Sequence, residues 1–475
     1  MFDVTVIGGG VVGAMIMREL SKYDLKICML EKEDDVCMGQ SKANSGIVHA
    51  GFDAKEGTLK AKFNVSGNKM MTEVCKELGV KYKNNASLVV AFSDDDLKTL
   101  LELKARGEKN GVECLEIISA DELRKRVPEI SENSKGALEA KTGGIVCPYN
   151  LTIAAIGNAM DNGAELLCDY EVVKISKNNN YYSIFSKDLR HIESRVVINS
   201  AGICSGKIAN LVGDEYDVHA RRGQYILLDK TAGYLTKNTL FFTPTKLGKG
   251  VLVSPTVDGN IFMGPTAEEI DGNDTDTTAE GLASIISKAS EMINKLPLGD
   301  TITSFSGVRA YNDKHDFIIE ESKNNKGFIN LIGIESPGLT ASPAIGKFVV
   351  EDIVSKLIDL KRKADYNPYR RPDFFFNELS VDEKNKVIAD DGRYGKIVCR
   401  CEKITEGEIV SAIHANPKAT SVDAVKRRTR AGMGRCQGGF CMPHVVEILA
   451  REFNVPMTDI AKNGKNSKIL TGRTK

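Results

Sequence analysis

The fold is decided by Asp3-Val4-Thr5-Val6-Ile7-Gly8-Gly9-Gly10-Val11-Val12-Gly13, closed by Glu31. Phe2 to Ile7 is an apolar, β-branched run of strand length. Gly8, Gly10 and Gly13 supply the G-x-G-x-x-G spacing: a tight turn, a close backbone approach to a pyrophosphate, and close packing of the next helix on the sheet. Val11 and Val12 open that helix, whose free N–H groups and positive dipole end suit an anion. Lys26 to Leu30 reads as the second strand, and Glu31 at its end can accept bonds from ribose hydroxyls. The stretch predicts a dinucleotide site on a βαβ unit.

The rest of the chain supports a soluble globular protein of two or three domains. It has 475 residues, 42% of them hydrophobic and 27% charged. Lys plus Arg and Asp plus Glu both number 64, so no global field favours nucleic acid or an anionic membrane. No apolar run approaches the ~20 residues that span a bilayer. The expected location is cytoplasmic. Of the 11 cysteines, seven are scattered before residue 210, mostly in apolar surroundings, and read as buried free thiols.

After Glu31, Ser41-Lys42-Ala43-Asn44-Ser45-Gly46-Ile47-Val48-His49-Ala50-Gly51 is a small-residue loop that lets backbone approach a flat ring. Helices are predicted over Thr58–Leu78, Asp94–Asn110, a short stretch from Ser119, Leu151–Asn162, Thr278–Leu296 and Ser342–Ile358. Ala164–Ser176 reads as one strand, Asn178 to Asn180 as a hairpin turn, and Arg195 to Asn199 as a buried strand entering Ser200-Ala201-Gly202. Gln224–Leu228, Gly250–Val257, Asn260–Gly264 and Thr301–Tyr311 read as further strands. Nucleotide-type segments at 1–85, 143–215 and 305–360 are thus interrupted by strand-rich segments at 86–142 and 216–304. A polar linker (361–395), a cysteine-bearing unit (396–455) and a tail (456–475) follow. The expected class is α/β plus α+β: a discontinuous Rossmann-like domain, an inserted antiparallel-sheet substrate domain and a small helical C-terminal domain.

The glycine fingerprint, the Ile198-Asn199-Ser200-Ala201-Gly202 turn and the late loop Gly333-Ile334-Glu335-Ser336-Pro337-Gly338-Leu339-Thr340 together resemble the D-amino-acid-oxidase-like superfamily of FAD oxidoreductases. The resemblance covers about residues 1–365. It implies that Gly8, Gly10, Val11, Val12, Gly13, Glu31 and Lys32 surround the ADP half of FAD, with Val172 and Val173 at adenine and Ala201 and Gly202 near the phosphates. Ser41, Asn44, Ser45 and Gly46 would lie beside the isoalloxazine. Gly333, Ile334, Gly338, Leu339 and Thr340 would meet its pyrimidine edge, where a helix N-terminus stabilises the anionic reduced ring. NAD as the one dinucleotide is the alternative.

Cys399-Arg400-Cys401 and Cys436-Gln437-Gly438-Gly439-Phe440-Cys441 place four thiols in two close pairs, a metal-site arrangement. The spacing does not match the C-x2-C pairs of structural zinc sites, although zinc and free thiols stay open. It resembles the bacterioferritin-associated-ferredoxin-like 2Fe-2S module, which implies Cys399, Cys401, Cys436 and Cys441 as ligands. Residues 396–475 hold 15 Lys and Arg against 7 Asp and Glu, densest at Lys426-Arg427-Arg428-Thr429-Arg430. Such a run suits compensation of a cluster's negative charge, a solvated face, or docking of an acidic redox partner. It carries no aromatic platform for nucleic acid.

The pairing of both modules, with Arg427-Arg428-Thr429-Arg430 leading into Gly432-Met433-Gly434-Arg435-Cys436-Gln437-Gly438, resembles the family of large catalytic subunits of anaerobic glycerol-3-phosphate dehydrogenases. The resemblance implies oxidation of sn-glycerol 3-phosphate to dihydroxyacetone phosphate, electron flow from FAD through 2Fe-2S to a redox partner subunit, and contact with a membrane surface, if any, through that partner. His49 is the expected base, with His315 as alternative, and Arg309 the expected substrate-anion arginine. Gln224, Lys249 and Arg222 are further substrate-binding candidates, and Tyr225 faces either the flavin or the core. The Asn44–Gly51 loop also resembles L-2-hydroxyglutarate oxidoreductases, where the arginine would hold a carboxylate. A non-catalytic flavo-iron-sulfur electron-transfer subunit is the remaining reading.

Overall fold

The computed structural model describes residues 1–244, 250–370 and 375–472. Phe2–Ile7 lies at the centre of an eight-stranded sheet because its apolar side chains are covered on both faces. It pairs in parallel with Ile27–Leu30 on one edge and His191–Asn199 on the other. Glu165–Leu167 extends the sheet beyond Ile27–Leu30, and Phe328–Ile332 pairs in parallel with the end of His191–Asn199. The hairpin Val172–Asn178/Tyr181–Ser186 and strand Ile318–Glu321 complete it.

Helices Val11–Leu20, Pro148–Asp161 and Gly338–Phe348 pack around this sheet. Two glycines set their closeness. A Cβ on Gly13 would strike the Gly8 carbonyl oxygen, and one on Gly67 would strike the Thr340 carbonyl oxygen, where Leu59–Leu78 crosses Gly338–Phe348. Three local expectations change. Ala164–Ser176 is two strands, Glu165–Leu167 and Val172–Asn178, broken where Asp169 takes a φ of 52° and sends each half to a different neighbour. The helix expected from Thr278 to Leu296 ends at Met292. The helix expected from Ser342 begins earlier, at Gly338, and Pro343 sits inside it. Pro343 cannot donate to the Leu339 carbonyl, which accepts from Ser342 Oγ instead (2.9 Å).

The second sheet has nine strands. Its spine is His219–Leu228, paired along its length with Thr301–Tyr311 from His219 opposite Tyr311 to Leu228 opposite Thr301. The inserted segment drawn to end at 304 therefore runs on to Tyr311 in the same sheet. Ser87–Ala91, Leu115–Ser119 and Gly136–Ala140 join from the earlier insertion. The sheet is mixed rather than wholly antiparallel, since Thr239–Phe242 runs parallel to Ser87–Ala91.

The C-terminal unit has its own core. Helices Glu406–His414, Val422–Thr429 and Met442–Phe453 enclose Ile409, Ile413, Val425, Val445 and Leu449. Its tail folds back, with Ile460 buried and the Ala461 carbonyl accepting from Val422 N–H. The segment 361–395, read as a linker, is bound to the first unit. Asp24 donates to Lys361, Lys363 to Lys22 and Arg370 to Glu77 through the backbone, and Val381–Asp390 is helical. Among the described residues no helix is long and apolar enough to cross a membrane.

Gly67→Ala should lower the unfolding free energy by about 1–3 kcal/mol through overpacking against Thr340. Gly299→Ala, with nothing within 4 Å of the added methyl, should stay within about 0.5 kcal/mol. Urea denaturation of the two variants checks the contrast.

Candidate active site and cysteine centre

A cavity of about 2030 Å³ lies between the C-terminal ends of the first sheet's parallel strands and the second sheet. It is about twice the upper end of the usual ligand-pocket range, enough for a dinucleotide and a small substrate together. Open α/β sheets bind ligands at this end of their strands.

One end is walled by Gly8, Gly10, Val11, Val12, Glu31, Lys32, Val172, Ala201 and Gly202. Gly10 caps Val11–Leu20 with no side-chain bond, and Val11 N–H donates to Ser41 Oγ (2.8 Å). The Glu31 carboxylate accepts from the Gly9 and Glu33 N–H groups at 2.8 and 3.0 Å. Burial pushes that carboxyl up, and these two bonds work against the push. Ser41, Asn44 and Ser45 line the middle, and Ile334, Gly338 and Leu339 the other end. Asn44 laces its own loop, donating to Ser41 O (2.8 Å) and accepting from Gly46 N–H (2.8 Å).

Several expected site residues stand behind the wall. Gly13 serves the packing described above. Gly46, at φ 63°, backs onto Val146, and Gly333, at φ 66°, onto the Asn312 amide. Thr340 Oγ1 accepts from His49 N–H (2.9 Å) and donates to Ile47 O (3.3 Å), tying the small-residue loop to the Gly338 helix. Val173 is exposed on the opposite side of its strand from Val172. Lys249 lies outside the described residues.

His49 and Arg309 both reach the cavity. The His49 carbonyl accepts from Asn64 (2.8 Å) and Asn68 (3.1 Å), and its Nε2 is 3.4 Å from Ser336 Oγ. Arg309 Nη2 donates to the Thr266 carbonyl (2.9 Å), while its Nε is buried without a partner among the described residues. Gln224 touches the wall, but its amide caps helix Ala279–Met292 through Thr278 at 2.7 and 3.1 Å. Arg222 is neutralised by Glu268 (2.9 Å) and Asp274 (2.6 Å). Tyr225 borders the cavity and stacks on Phe305, and His315 sits in a surface turn over Tyr311.

Two wall features had no sequence signal. Gln40 joins the two units, donating to Ile334 O (3.0 Å) and accepting from Ala310 N–H (2.9 Å). Lys60 pairs with Glu335 (2.8 Å) at the cavity edge. Neither residue stands in a motif, and their partners are 270 to 294 positions away in the chain.

The late cysteines form two pairs. Cys401 and Cys436 sulfurs are 3.6 Å apart, and Cys441 hydrogen-bonds to Cys399. That bond, with N–H groups of Gly432 and Glu402, brings the Cys399 thiol down to about 6. Gly438 and Phe440 N–H groups point at Cys436. Among the described residues no three His, Cys, Asp or Glu side chains converge on a single ion. Two thiol pairs with sulfur-directed N–H groups fit a binuclear cluster, with two ligands per iron, better than one tetrahedral zinc. The earlier thiols at 28, 37, 75 and 147 are buried and pushed up to about 12 by burial, whereas Cys114 is exposed.

The three arginines of the basic run are spent inside the chain. Asp35, four residues past Glu31, accepts from Arg427 (2.7 Å) and Arg428 (2.9 Å), and all three are buried. Burial works to raise the Asp35 carboxyl, and Arg428 and Arg427 outweigh it, holding it below the usual range. Arg430 holds Asp258 (2.6 Å) and Glu402 (2.9 Å), so the helix is neither a solvated face nor a free partner surface. Tyr149, which follows the strand behind Gly46, places its hydroxyl 3.4 Å from Met433 Sδ in the cysteine loop.

Residues 3–352 match the family model described as FAD dependent oxidoreductase, and residues 397–451 match the BFD-like [2Fe-2S] binding domain. The chain belongs to the FAD-dependent oxidoreductases. Its cofactors are FAD and a 2Fe-2S cluster. A protein of Caloramator mitchellensis named glycerol 3-phosphate dehydrogenase is 53% identical over 100% of this chain and 99% of its own. The dithionite-reduced L-alpha-glycerophosphate oxidase of Mycoplasma pneumoniae, solved with FAD bound, aligns with a TM-score of 0.74 and 30% identity, over 78% of this chain and 98% of that one. A Pongo abelii protein named L-2-hydroxyglutarate dehydrogenase, mitochondrial, is more distant, at 29% identity over 74% of this chain and 87% of its own.

Asp35→Asn should leave two buried guanidiniums poorly matched and cost about 3–5 kcal/mol of stability. The native Asp35 carboxyl titrates below its unfolded value of about 3.9, so its contribution is complete above that pH and fades as pH falls through the lower, folded value. Denaturation at pH 7 and at pH 3 should show the wild-type advantage over the variant shrinking in acid.

Proposed function

We propose that the chain oxidises sn-glycerol 3-phosphate to dihydroxyacetone phosphate in this cavity and delivers the electrons to a partner protein. The carrying observation is the relative named for this dehydrogenation, which aligns with both the flavin unit and the cysteine unit. The oxidase relative is covered almost end to end by about three quarters of this chain. When bound, FAD supplies a two-electron acceptor for the substrate C2–H bond, and the cluster supplies one-electron transfer onward.

The chain's own residues have the following parts in this reading. Gly8, Gly10, Val11 and Val12 cradle the pyrophosphate of FAD, and Glu31 and Lys32 serve its ribose. Val172 and Val173 offer backbone to adenine, and Ala201 and Gly202 flank the phosphates. Ser41, Asn44 and Ser45 would border the ring, and the N-terminus of Gly338–Phe348 would face its pyrimidine edge with Ile334 and Leu339, while Gly46, Gly333 and Thr340 support these residues from behind. Arg309, which lines the cavity, offers its guanidinium charge to the substrate phosphate. His49, fixed through its backbone by Thr340, Asn64 and Asn68, takes the C2 hydroxyl proton. Gln224, on the cavity wall, ties its strand to the start of helix Ala279–Met292 on the substrate side. Cys399, Cys401, Cys436 and Cys441 hold the cluster.

The same Arg309 could hold a carboxylate, which keeps L-2-hydroxyglutarate as the second reading, favoured by the relative of that name. Anaerobic addition of glycerol 3-phosphate should bleach the flavin absorbance, and L-2-hydroxyglutarate should not; the reverse result would overturn the assignment. Arg309→Ala should lower kcat/KM for the phosphate ester about 10- to 100-fold, from the loss of a charged hydrogen bond. His49→Gln should lower kcat by about 10²–10⁴-fold. Steady-state assays with a dye acceptor read both.

A further inference from the structure

The cysteine centre is open on one side. Cys399 and Cys441 are buried, whereas Cys401 is exposed and Cys436 half-buried. Phe440, in the loop between Cys436 and Cys441, is 80% exposed. An apolar ring left in water on a cysteine loop has no role in the core of its own domain.

The charge around this edge differs from the rest of the domain. Arg427, Arg428, Arg430, Arg435 and Arg451 are each engaged by carboxylates of this chain. Arg400 and Lys403, on either side of Cys401, are exposed and form no ion pair among the described residues. The three arginines of the helix at 422–430 are thus compensated, whereas the exposed cations that flank the outward-facing Cys401 are not.

We propose that this edge is the electron exit and docks a redox protein whose surface around its own centre is acidic. The proposal rests on the reading above that the cluster passes electrons to a partner. Phe440 would anchor in an apolar pocket of that partner, and Arg400 and Lys403 would steer its acidic rim. A lipid surface fits less well: two cations contribute about 1 kcal/mol each on an anionic membrane, and one aromatic ring adds little area. In the transfer, one electron leaves the reduced cluster and reduces the partner's centre; no bond forms or breaks and no proton moves.

The test uses the holoenzyme reduced beforehand with dithionite, so that it does not depend on the substrate assignment. Its oxidation is followed after mixing with cytochrome c in its native basic form or its succinylated acidic form. The succinylated form should react about tenfold faster or more at low salt, and the advantage should shrink as ionic strength rises. Replacing Arg400 and Lys403 by Gln should remove most of that preference while visible spectrum, iron content and rate with a small neutral dye stay unchanged. Phe440→Ser should slow the protein acceptor without altering the salt slope. Should a variant lose iron, the wild-type salt dependence still decides. Equal rates with the two cytochromes, or faster reaction with the basic one, would overturn the proposal. So would cosedimentation with phosphatidylserine vesicles at physiological salt that the double substitution abolishes. A wrong substrate assignment would show instead as failure of glycerol 3-phosphate to bleach the flavin.

Discussion

The buried carboxylate of Asp35 between the guanidiniums of Arg427 and Arg428 is the constraint on which the arrangement depends. Asp35 belongs to the loop that leaves the second strand of the nucleotide fold, and the arginines stand on the helix before the cysteine loop. A buried carboxylate flanked by two cations is costly to separate, because each side would be left as an unpaired buried charge. The link therefore fixes where the cysteine unit sits on the flavin unit. Arg430, reaching Asp258 and Glu402, extends the same tie to the second sheet and to the residue after Cys401. The surplus positive charge of the C-terminal unit is thus mostly a docking device for its own chain.

The cavity depends on a second set of constraints, which are steric. Two sheets can face one another across it because small residues let backbone approach backbone. A Cβ on Gly307 would fall on the Ala43 carbonyl oxygen, so the strand carrying Arg309 can lie directly over the small-residue loop. Gln40 then pins that strand to the Ile334 loop, and Thr340 pins the loop to His49. Arg309 and His49 come from residues 260 positions apart, yet each is held on a backbone that is hydrogen-bonded on both sides. The N-termini of Val11–Leu20 and Gly338–Phe348 open onto opposite ends of the same space, giving it two sites of partial positive charge without spending side chains.

Much of this was legible in the sequence because it is local. The glycine fingerprint, the acid at position 31 and the paired cysteines each carry their chemistry within a few residues, and their spacing follows from strand, turn and helix geometry. The glycine-rich turn after Asn199 and the late loop at 333–340 were legible for the same reason. The losses are long-range. Nothing near Gln40 or Lys60 signals their partners, and nothing near Gln224 shows that its amide is already engaged by Thr278. The run at 426–430 read as compensation for the cluster, a solvated face or a docking surface, because the carboxylates that neutralise its arginines, Asp35, Asp258 and Glu402, lie in three distant segments. Prolines in 361–395 suggested a tether, yet the backbone donors there find partners on the first unit. Pro343 suggested a helix start, and one serine hydroxyl is enough to keep it inside a helix.

The central claim is that one chain takes an electron pair in its cavity and releases it singly at its cysteine edge. Anaerobic mixing with glycerol 3-phosphate, followed by absorbance and by electron paramagnetic resonance of samples frozen during the reaction, tests it most directly. Loss of flavin absorbance should be followed by the signal of a reduced 2Fe-2S cluster within the same turnover. Flavin loss without any cluster signal, or neither change in protein shown to contain both groups, would contradict the account.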